Sequence, residues 1–208
     1  MQLDQAKRGF SFRHDGPLDM RMGEGGLSAA DIVNSFEEEE IADILFQYGE
    51  EKSSRLIAKK IVSARPITST LSLSTIIHGC FNNRTDTKTH PATKSFQALR
   101  IAVNDELAEL VRGLEAAERI LKPGGELVVV TFHSLEDRIV KKFLRSRSIG
   151  KGNANRHSPT SENVSPSFIL KSSKPYLVKD NERQSNPRSR SAKLRIAIRS
   201  DADPFSPQ

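Results

Sequence analysis

A continuous apolar run, LVVVTF at residues 127–132, constrains the fold of this chain more than any other feature. The turn KPGG at 122–125 precedes it, and apolar periodicity predicts a helix on either side, over 94–121 and over 136–146. A helix, a Pro-Gly-Gly turn, a fully apolar strand and another helix are typical of the αβα unit of a parallel sheet. Such a strand is apolar on both faces because helices cover both sides of the sheet. The sequence therefore predicts an α/β fold around this strand.

A compact helical unit is predicted upstream, over residues 28–80. Ser28 is a candidate N-cap because Asp31 follows three residues later, at the spacing of a capping box. Residues 1–26 are predicted to form an irregular loop, since Gly and Pro interrupt them and no period persists. Apolar residues at helical spacing then predict three helices, over 28–49, 50–64 and 70–79.

Two weaker apolar stretches, at 167–178 and 193–199, alternate enough to predict a C-terminal hairpin with polar residues outward. An open α/β sheet needs several strands, and this chain supplies one strong strand and these weaker ones, with no βαβ unit before them. It also holds no Gly-rich turn between a strand and a helix, the usual cradle for a nucleotide. Either the fold is a small and unusual one, or half of a sheet lies elsewhere.

Charge is distributed unevenly along the chain. Residues 141–199 hold 15 Lys and Arg against 3 Asp and Glu, whereas the remaining residues hold 17 against 23. Clustered Lys and Arg indicate a polyanionic partner, because binding to phosphates releases counterions. A basic tail that only aids solubility is the alternative.

Several classes of protein are disfavoured. The single cysteine, Cys80, excludes an internal disulfide framework and a Cys-based zinc cluster, and it fits a reducing, intracellular setting. No apolar run approaches 18 residues, and the N-terminus lacks the apolar core of a signal peptide, so neither a membrane span nor secretion is expected. No metal site is predicted, because the histidines show no i, i+4 pair; they stand at 14, 78, 90, 133 and 157.

Four parts of the chain together carry a family resemblance. They are MQLDQAKRGFSFRHDGPLDMRM (1–22), YGEEKSSRLIAKKIV (48–62), HPATKSFQALRIAVNDEL (90–107) with KPGGELVVVTFHSLEDRIVKKF (122–143), and NPRSRSAKLRIAIR (186–199). The chain resembles the MraW/RsmH family, the bacterial cytosine-N4 methyltransferases of small-subunit ribosomal RNA. The resemblance covers nearly the whole chain, and FHSLEDRIVK and HPATKSFQALRIAVN are its most specific parts.

This resemblance implies an α/β fold with a partial Rossmann-like methyltransferase sheet and an inserted all-helical domain. Members of that family carry a further N-terminal segment with the first βαβ units and the Gly-rich loop for S-adenosylmethionine. The implied domains are a loop region of the methyltransferase domain (1–26), the inserted helical domain (27–92) and the C-terminal half of the methyltransferase domain (93–208).

The implied function is S-adenosylmethionine-dependent N4-methylation of a cytidine in small-subunit ribosomal RNA. The expected partner is that RNA or the assembled small subunit, in the cytoplasm, with no membrane, and a homodimer is left open. The alternatives are an inactive RNA-binding fragment and a subunit that needs a separate N-terminal half.

The segment FHSLEDR at 132–138 is the candidate catalytic region, because catalytic groups cluster where a parallel strand ends. The lone pair of a cytosine amine is delocalised into the ring, so a hydrogen-bond acceptor must orient the amine and later receive its proton. His133, Glu136 and Asp137 are the candidates. The alternative is helix capping, with Ser134 as N-cap and the two carboxylates in the first turn. Gln2 matches a position that contacts S-adenosylmethionine in the family.

Candidate RNA contacts lie in two basic segments. Planar cations and aromatic rings alternate in the N-terminal loop, where RNA bases can stack on Arg8, Phe10, Phe12 and Arg13. Packing of the two Phe against the helical unit is the alternative. The densest basic cluster suits phosphate contacts and includes Arg188, Arg190 and Lys193. A basic strand edge that discourages aggregation is its alternative.

Two polar residues complete the RNA candidates. Asn104 interrupts the apolar face of the predicted long helix and could line a cleft beside the sheet, or lie on a solvated helix face. Ser134, beside the catalytic candidates, is the other.

Overall fold

The computed structural model describes residues 5–81, 90–148 and 165–205. The chain divides into two compact units, residues 1–106 and residues 107–208. Residues 93–106, which the family resemblance assigned to the methyltransferase domain, thus lie in the first compact unit. The domain boundaries implied by the resemblance stay predictions.

The first unit is helical. Its helices are α1 (Ala29–Ser35), α2 (Glu38–Gly49), α3 (Ser54–Ser63), α4 (Thr70–Gly79) and α5 (Ala92–Asn104). Helix α5 packs against α2, and α2 packs against α3. Their apolar faces meet in a core that includes Leu45, Ile57, Ile61 and Leu99, each fully buried.

The N-terminal loop is part of this helical core. Apart from a short 3₁₀ helix at Ala6–Arg8, its described residues are irregular as predicted. Phe10, Leu18 and Met20 are nevertheless buried against the helices. A backbone bridge between Pro17 and Ser69 fixes the loop to the start of α4.

Helix boundaries in this unit follow the capping chemistry. Ser28 and Asp31 form the predicted capping box at the start of α1. The helix predicted over 28–49 is wrong as a single element, because a second capping box between Glu37 and Glu40 starts α2 after an extended residue, Phe36. The prediction of a helix over 70–79 is confirmed by α4.

The single helix predicted over 94–121 is also wrong. The chain forms α5 up to Asn104 and α6 (Glu106–Ile120) after it, because Asp105 has a left-handed backbone with φ 48°. Asp tolerates this conformation better than most residues, since its short side chain can hydrogen-bond locally. Arg100 forms an ion pair across the break, with its Nε 2.7 Å from Oε1 of Glu106.

The second unit is built on one sheet. The elements after α6 are β1 (Glu126–Thr131), α7 (Ser134–Ser148), β2 (Phe168–Leu170), β3 (Tyr176–Leu177), α8 (Asp180–Ser185) and β4 (Lys193–Arg199). The strand order is β1-β4-β2, and β3 also pairs with β4. The predicted pairing of the C-terminal strands is confirmed, since β2 and β3 both run antiparallel to β4. The expectation that their polar residues face outward is wrong for β4, because Arg195 and Arg199 are buried.

The predicted parallel sheet around β1 needs correction. Among the described residues, every strand pair is antiparallel, and β1 pairs with β4 in the register Val128↔Ile196. The reason is that the C-terminal strand returns beside β1, which the local αβα pattern does not reveal. The mixed architecture of helices and one sheet still confirms the predicted α/β class and is consistent with a methyltransferase fold.

One face of this sheet is covered by a helix, and the other face is partly exposed. On one face, α7 packs against β1 and β2 over a core that includes Val140, Phe143 and Phe168. On the other face, Val128 and Val130 are 51% and 50% exposed. The strand is thus apolar on both faces, as predicted, and the described part of this unit covers one of them. None of the helices in the described ranges combines the length and the apolar character that crossing a membrane requires.

Candidate functional site: the turn from β1 to α7

The turn between β1 and α7 is held by a reciprocal set of hydrogen bonds. A carboxylate oxygen of Glu136 accepts from the backbone N–H groups of Phe132 at 2.7 Å and of His133 at 3.2 Å. In return, Nδ1 of His133 accepts from the backbone N–H of Glu136 at 3.4 Å. These N–H groups have no partner within the helix itself, so the box satisfies the start of α7.

The predicted N-cap role of Ser134 is wrong. Helix α7 begins at Ser134, and the residue before it, His133, supplies the cap-like side chain. Ser134 is exposed at the first helical position. Among the capping alternatives, that of Glu136 in the first turn is confirmed, because its carboxylate accepts from the two N–H groups that precede the helix.

His133 and Glu136 also meet through their other atoms. Nε2 of His133 lies 3.4 Å from Oε1 of Glu136, and the two side chains are 9% and 22% exposed. Acceptance by Nδ1 requires that Nε2 carry the proton when the ring is neutral. The turn therefore places an acid–base pair at the end of an apolar strand.

Asp137 faces the sheet and is held by two cations of β4. Nε of Arg195 lies 2.8 Å from Oδ1, and Nη2 of Arg195 and Nζ of Lys193 lie 3.3 and 3.1 Å from Oδ2. The hydrogen bonds from Arg195 hold the pKa of the Asp137 carboxyl below its usual range. A carboxylate held ionised in this way is a poor proton acceptor, and the geometry makes Asp137 an anchor between α7 and β4.

Part of the basic C-terminal segment is therefore used inside the protein. Lys193, predicted to contact RNA, pairs with Asp137. Arg188 and Arg190 lie exposed on a short 3₁₀ helix, Pro187–Ser191. Both arginines are therefore at the surface, and their contact with phosphates stays a prediction.

A buried acidic residue in α6 binds two further arginines of this unit, and nothing in the sequence indicated it. Glu118 is 1% exposed, and its carboxylate accepts from the hydroxyl of Ser167 and from Nε of Arg147, the latter at 3.2 Å. Its backbone carbonyl accepts from Nε of Arg199 at 2.9 Å. A Glu on an amphipathic helix gives no sequence signal of burial, because the same pattern is typical of a solvated position.

The candidate stacking residues of the N-terminal loop separate into two groups. Phe10 is 6% exposed and lies in the core, and the guanidinium of Arg8 stands 5.3 Å from its ring centroid while donating to the carbonyl of Arg21. These two residues pack, in line with the packing alternative for Phe10. Phe12 is half-buried and packs against the same core, so the packing alternative is confirmed for Phe12 as well, whereas Arg13 is exposed.

Asn104 is fixed by the N-terminal loop. Its Nδ2 donates to the carbonyls of Met20 and Arg100, each at 2.8 Å, and its Oδ1 accepts from the backbone N–H of Met22 at 2.7 Å. Met20 has a left-handed backbone with φ 62°, which is costly for an unbranched non-Gly residue and needs such support. The side chain of Asn104 therefore closes the loop rather than lining a cleft.

The described residues do not by themselves fit S-adenosylmethionine. The backbone N–H groups at the end of β1 already donate to Glu136, so they are not available to a ligand. No Gly-rich turn joins a strand to a helix within the described ranges. Gln2, the predicted cofactor contact, lies outside the described residues.

The chain is similar to known proteins over nearly its whole length. A family model described as the MraW methylase family matches residues 1–200. A protein named Ribosomal RNA small subunit methyltransferase H from Roseobacter denitrificans is 60% identical over 205 residues, which cover 97% of this chain and 62% of that protein. A relative of the same name from Methylorubrum extorquens is 58% identical over 206 residues, covering 97% of this chain and 58% of the relative. The chain thus spans less than two thirds of the length of these curated relatives.

Proposed function

The chain belongs to the MraW methylase family, and on that basis we propose that it supplies the C-terminal part of a methyltransferase acting on small-subunit ribosomal RNA. The observation that carries this proposal is the 60% identity, over 97% of the chain, with a relative named for that activity. The proposed methyl donor is S-adenosylmethionine, and the proposed target is the N4 amine of a cytidine.

The chemistry proposed for this chain is handling of a proton. Methylation of a cytosine amine replaces an N–H bond by an N–C bond, so the amine must lose a proton. His133 and Glu136 form the acid–base pair at the end of β1, with the two side chains 3.4 Å apart. We assign them to orient the amine and take its proton, and we assign Asp137 to hold α7 in place.

Further protein is proposed to complete the site. The exposed apolar face of the sheet, with Val128 and Val130 half exposed, is typical of a surface covered by other structure. The chain also spans 62% of the length of the relative from Roseobacter denitrificans. The complete site is therefore proposed to need the part of the relatives that this chain does not match, in the same polypeptide or as a separate one.

The test is a methylation assay with a chimera. The unmatched part of the Roseobacter denitrificans relative is joined to this chain, and the product is incubated with small-subunit ribosomal RNA and methyl-labelled S-adenosylmethionine. We expect label in N4-methylcytidine after hydrolysis of the RNA to nucleosides. Label in another nucleoside, or none with both free RNA and assembled subunits, would refute the proposal.

The role of the acid–base pair is tested in the same chimera. Loss of general-base assistance lowers a rate by about 10²–10⁴-fold, so Glu136→Gln is expected to lower kcat by at least about 10²-fold. Asp180→Asn is the matched control, because Asp180 lies on the surface with its side chain 90% exposed. An unchanged kcat in Glu136→Gln would remove Glu136 from the chemistry while leaving the substrate assignment intact.

A further inference from the structure

Four aromatic rings form a continuous series from the core of the helical unit to its surface. Phe96 is 4% exposed and meets Phe12 edge-on, with ring centroids 4.8 Å apart. Phe12 in turn lies 4.6 Å from His90, and His90 lies 5.6 Å from His78 with an interplanar angle of 24°. His90 and His78 are both exposed, so the series ends in two stacked imidazoles facing solvent.

The series is held at three points. Phe96 belongs to α5 and is anchored in the core, and His78 belongs to the last turn of α4. Nδ1 of His90 accepts from the backbone N–H of Ala92 at 3.2 Å, which fixes the ring and leaves the proton of the neutral form on Nε2. The outer rings are thus a preformed surface rather than side chains that must be ordered on binding.

His90 is favoured in its neutral form. Its partial burial against Phe12 lowers the pKa of His90, and the nearby His78 lowers it further. A neutral, flat imidazole resembles the aromatic side chains on which unpaired bases stack.

Two exposed cations belong to the same helical unit as this series. Arg13 is exposed and follows Phe12 directly in the chain. Lys60 is exposed on α3 and close enough to Cys80 for its charge to act on that thiol, and Cys80 is two residues from His78. Proteins that hold single-stranded nucleic acid combine aromatic faces with positively charged side chains, and this unit carries both.

Packing within the core does not explain why His78 and His90 lie where they do. The core is closed by Phe96 and the half-buried Phe12, and the exposed imidazoles add little to it. We propose that His78 and His90, stacked on each other with His90 against Phe12, form a platform for an unpaired nucleobase of the RNA substrate. This proposal rests on the proposed function and names a substrate contact that lies within the first compact unit.

The test measures binding of the full 208-residue chain to a short, fluorescein-labelled, single-stranded RNA by anisotropy. Stacking on one base is worth about 1–3 kcal/mol, so His78→Ala is expected to raise Kd by about 5- to 150-fold. His78→Phe keeps a flat ring without the ionisable group and is expected to retain the wild-type Kd within about threefold. Leu71→Ala is the matched control, since Leu71 lies on the same helix and is 53% exposed.

A second measurement does not depend on loss of affinity. The chain contains no Trp, so His78→Trp places a single indole at the end of the series. Stacking of a base on that indole is expected to quench its fluorescence as RNA is added, and a duplex RNA of the same sequence is expected to quench it less. Far-UV circular dichroism verifies that each variant keeps the helical content of the wild type.

Three results would overturn the platform. They are an unchanged Kd in His78→Ala, an equal loss of affinity in His78→Phe and His78→Ala, and no quenching in His78→Trp. The equal loss would mean that imidazole polarity rather than the ring face binds RNA. If the chimera still methylates ribosomal RNA in any of these cases, the proposed function stands and only the platform fails. If the platform is correct, His78→Ala raises KM of the chimera for RNA and leaves kcat unchanged.

Discussion

Replacement of Asp137 by Asn is expected to destabilise the second unit strongly. The side chain of Asp137 is 12% exposed, and that of Arg195, its nearest partner, is 9% exposed. Removing one partner of a buried ion pair typically costs about 3–5 kcal/mol, because the other charge stays buried without compensation. Asn keeps the volume of the side chain and one oxygen that can accept from Arg195. We therefore expect the free energy of unfolding to fall by about 3 kcal/mol, at the lower end of this range.

The assay can be confined to the second unit. The chain has two Tyr, Tyr48 in α2 and Tyr176 in β3. A Tyr48→Phe background leaves Tyr176 as the only Tyr, and its fluorescence during unfolding in guanidinium chloride reports on the sheet to which Asp137 is anchored. Asp180→Asn is the matched control: its ion pair with Arg183 is 3.4 Å long and lies at the surface, where such pairs contribute about 0.3–0.5 kcal/mol.

The loss in Asp137→Asn is also expected to depend on pH in one direction. The folded pKa of Asp137 lies below its unfolded value, which is about 3.9. The stabilisation from the ionised carboxylate is then fully present above about pH 5 and is lost as the pH falls through the folded pKa. The difference between wild type and variant should therefore stay constant from about pH 5 to pH 8 and shrink below about pH 4. Equal losses in the two Asn variants, or a difference that grows in acid, would refute this account.

Two further predictions concern the helical unit. Leu99→Ala is expected to lower the free energy of unfolding by about 2–5 kcal/mol, because Leu99 is fully buried. Leu71→Ala, at an exposed position, should lower it by less than about 0.5 kcal/mol. Denaturant unfolding followed by circular dichroism measures both changes. Ser28→Ala should lower the free energy of unfolding by about 1 kcal/mol, because the capping box is lost. It should also raise the pKa of Asp31 toward its ordinary value, because the hydrogen bonds from Ser28 hold that pKa down. A carboxyl titration by NMR that shows no shift in this pKa would contradict the capping box.

Local patterns in the sequence predicted the elements well where one interaction decides the structure. The capping box of Ser28 and the strand β4 over 193–199 are both found at the predicted residues. The breaks at Phe36 and Asp105 were missed, because apolar periodicity continues across each of them. The second capping box and the left-handed residue that cause these breaks depend on local hydrogen bonds that periodicity does not register.

The direction of the strands could not be predicted from the same patterns. An apolar strand between two helices is typical of a parallel sheet, yet β1 pairs with β4 in antiparallel fashion. That pairing depends on a contact between Val128 and Ile196, which are far apart in the sequence. What the sequence did predict is that β1 is apolar on both faces, and the exposed Val130 shows the physical consequence in the described structure.

The cations of the basic C-terminal segment have two different physical roles, which the sequence alone does not distinguish. A buried cation with a partner inside the protein stabilises the fold and does not reach a phosphate in solution. Arg195 beside Asp137 and Arg199 on the backbone carbonyl of Glu118 are of this kind. An exposed cation can release counterions on binding RNA, as expected of Arg190. Composition counts the two kinds alike, so the local excess of positive charge overstates the surface available to RNA. The salt dependence of the proposed RNA binding should therefore scale with the exposed cations, and the buried arginines should affect it only through stability.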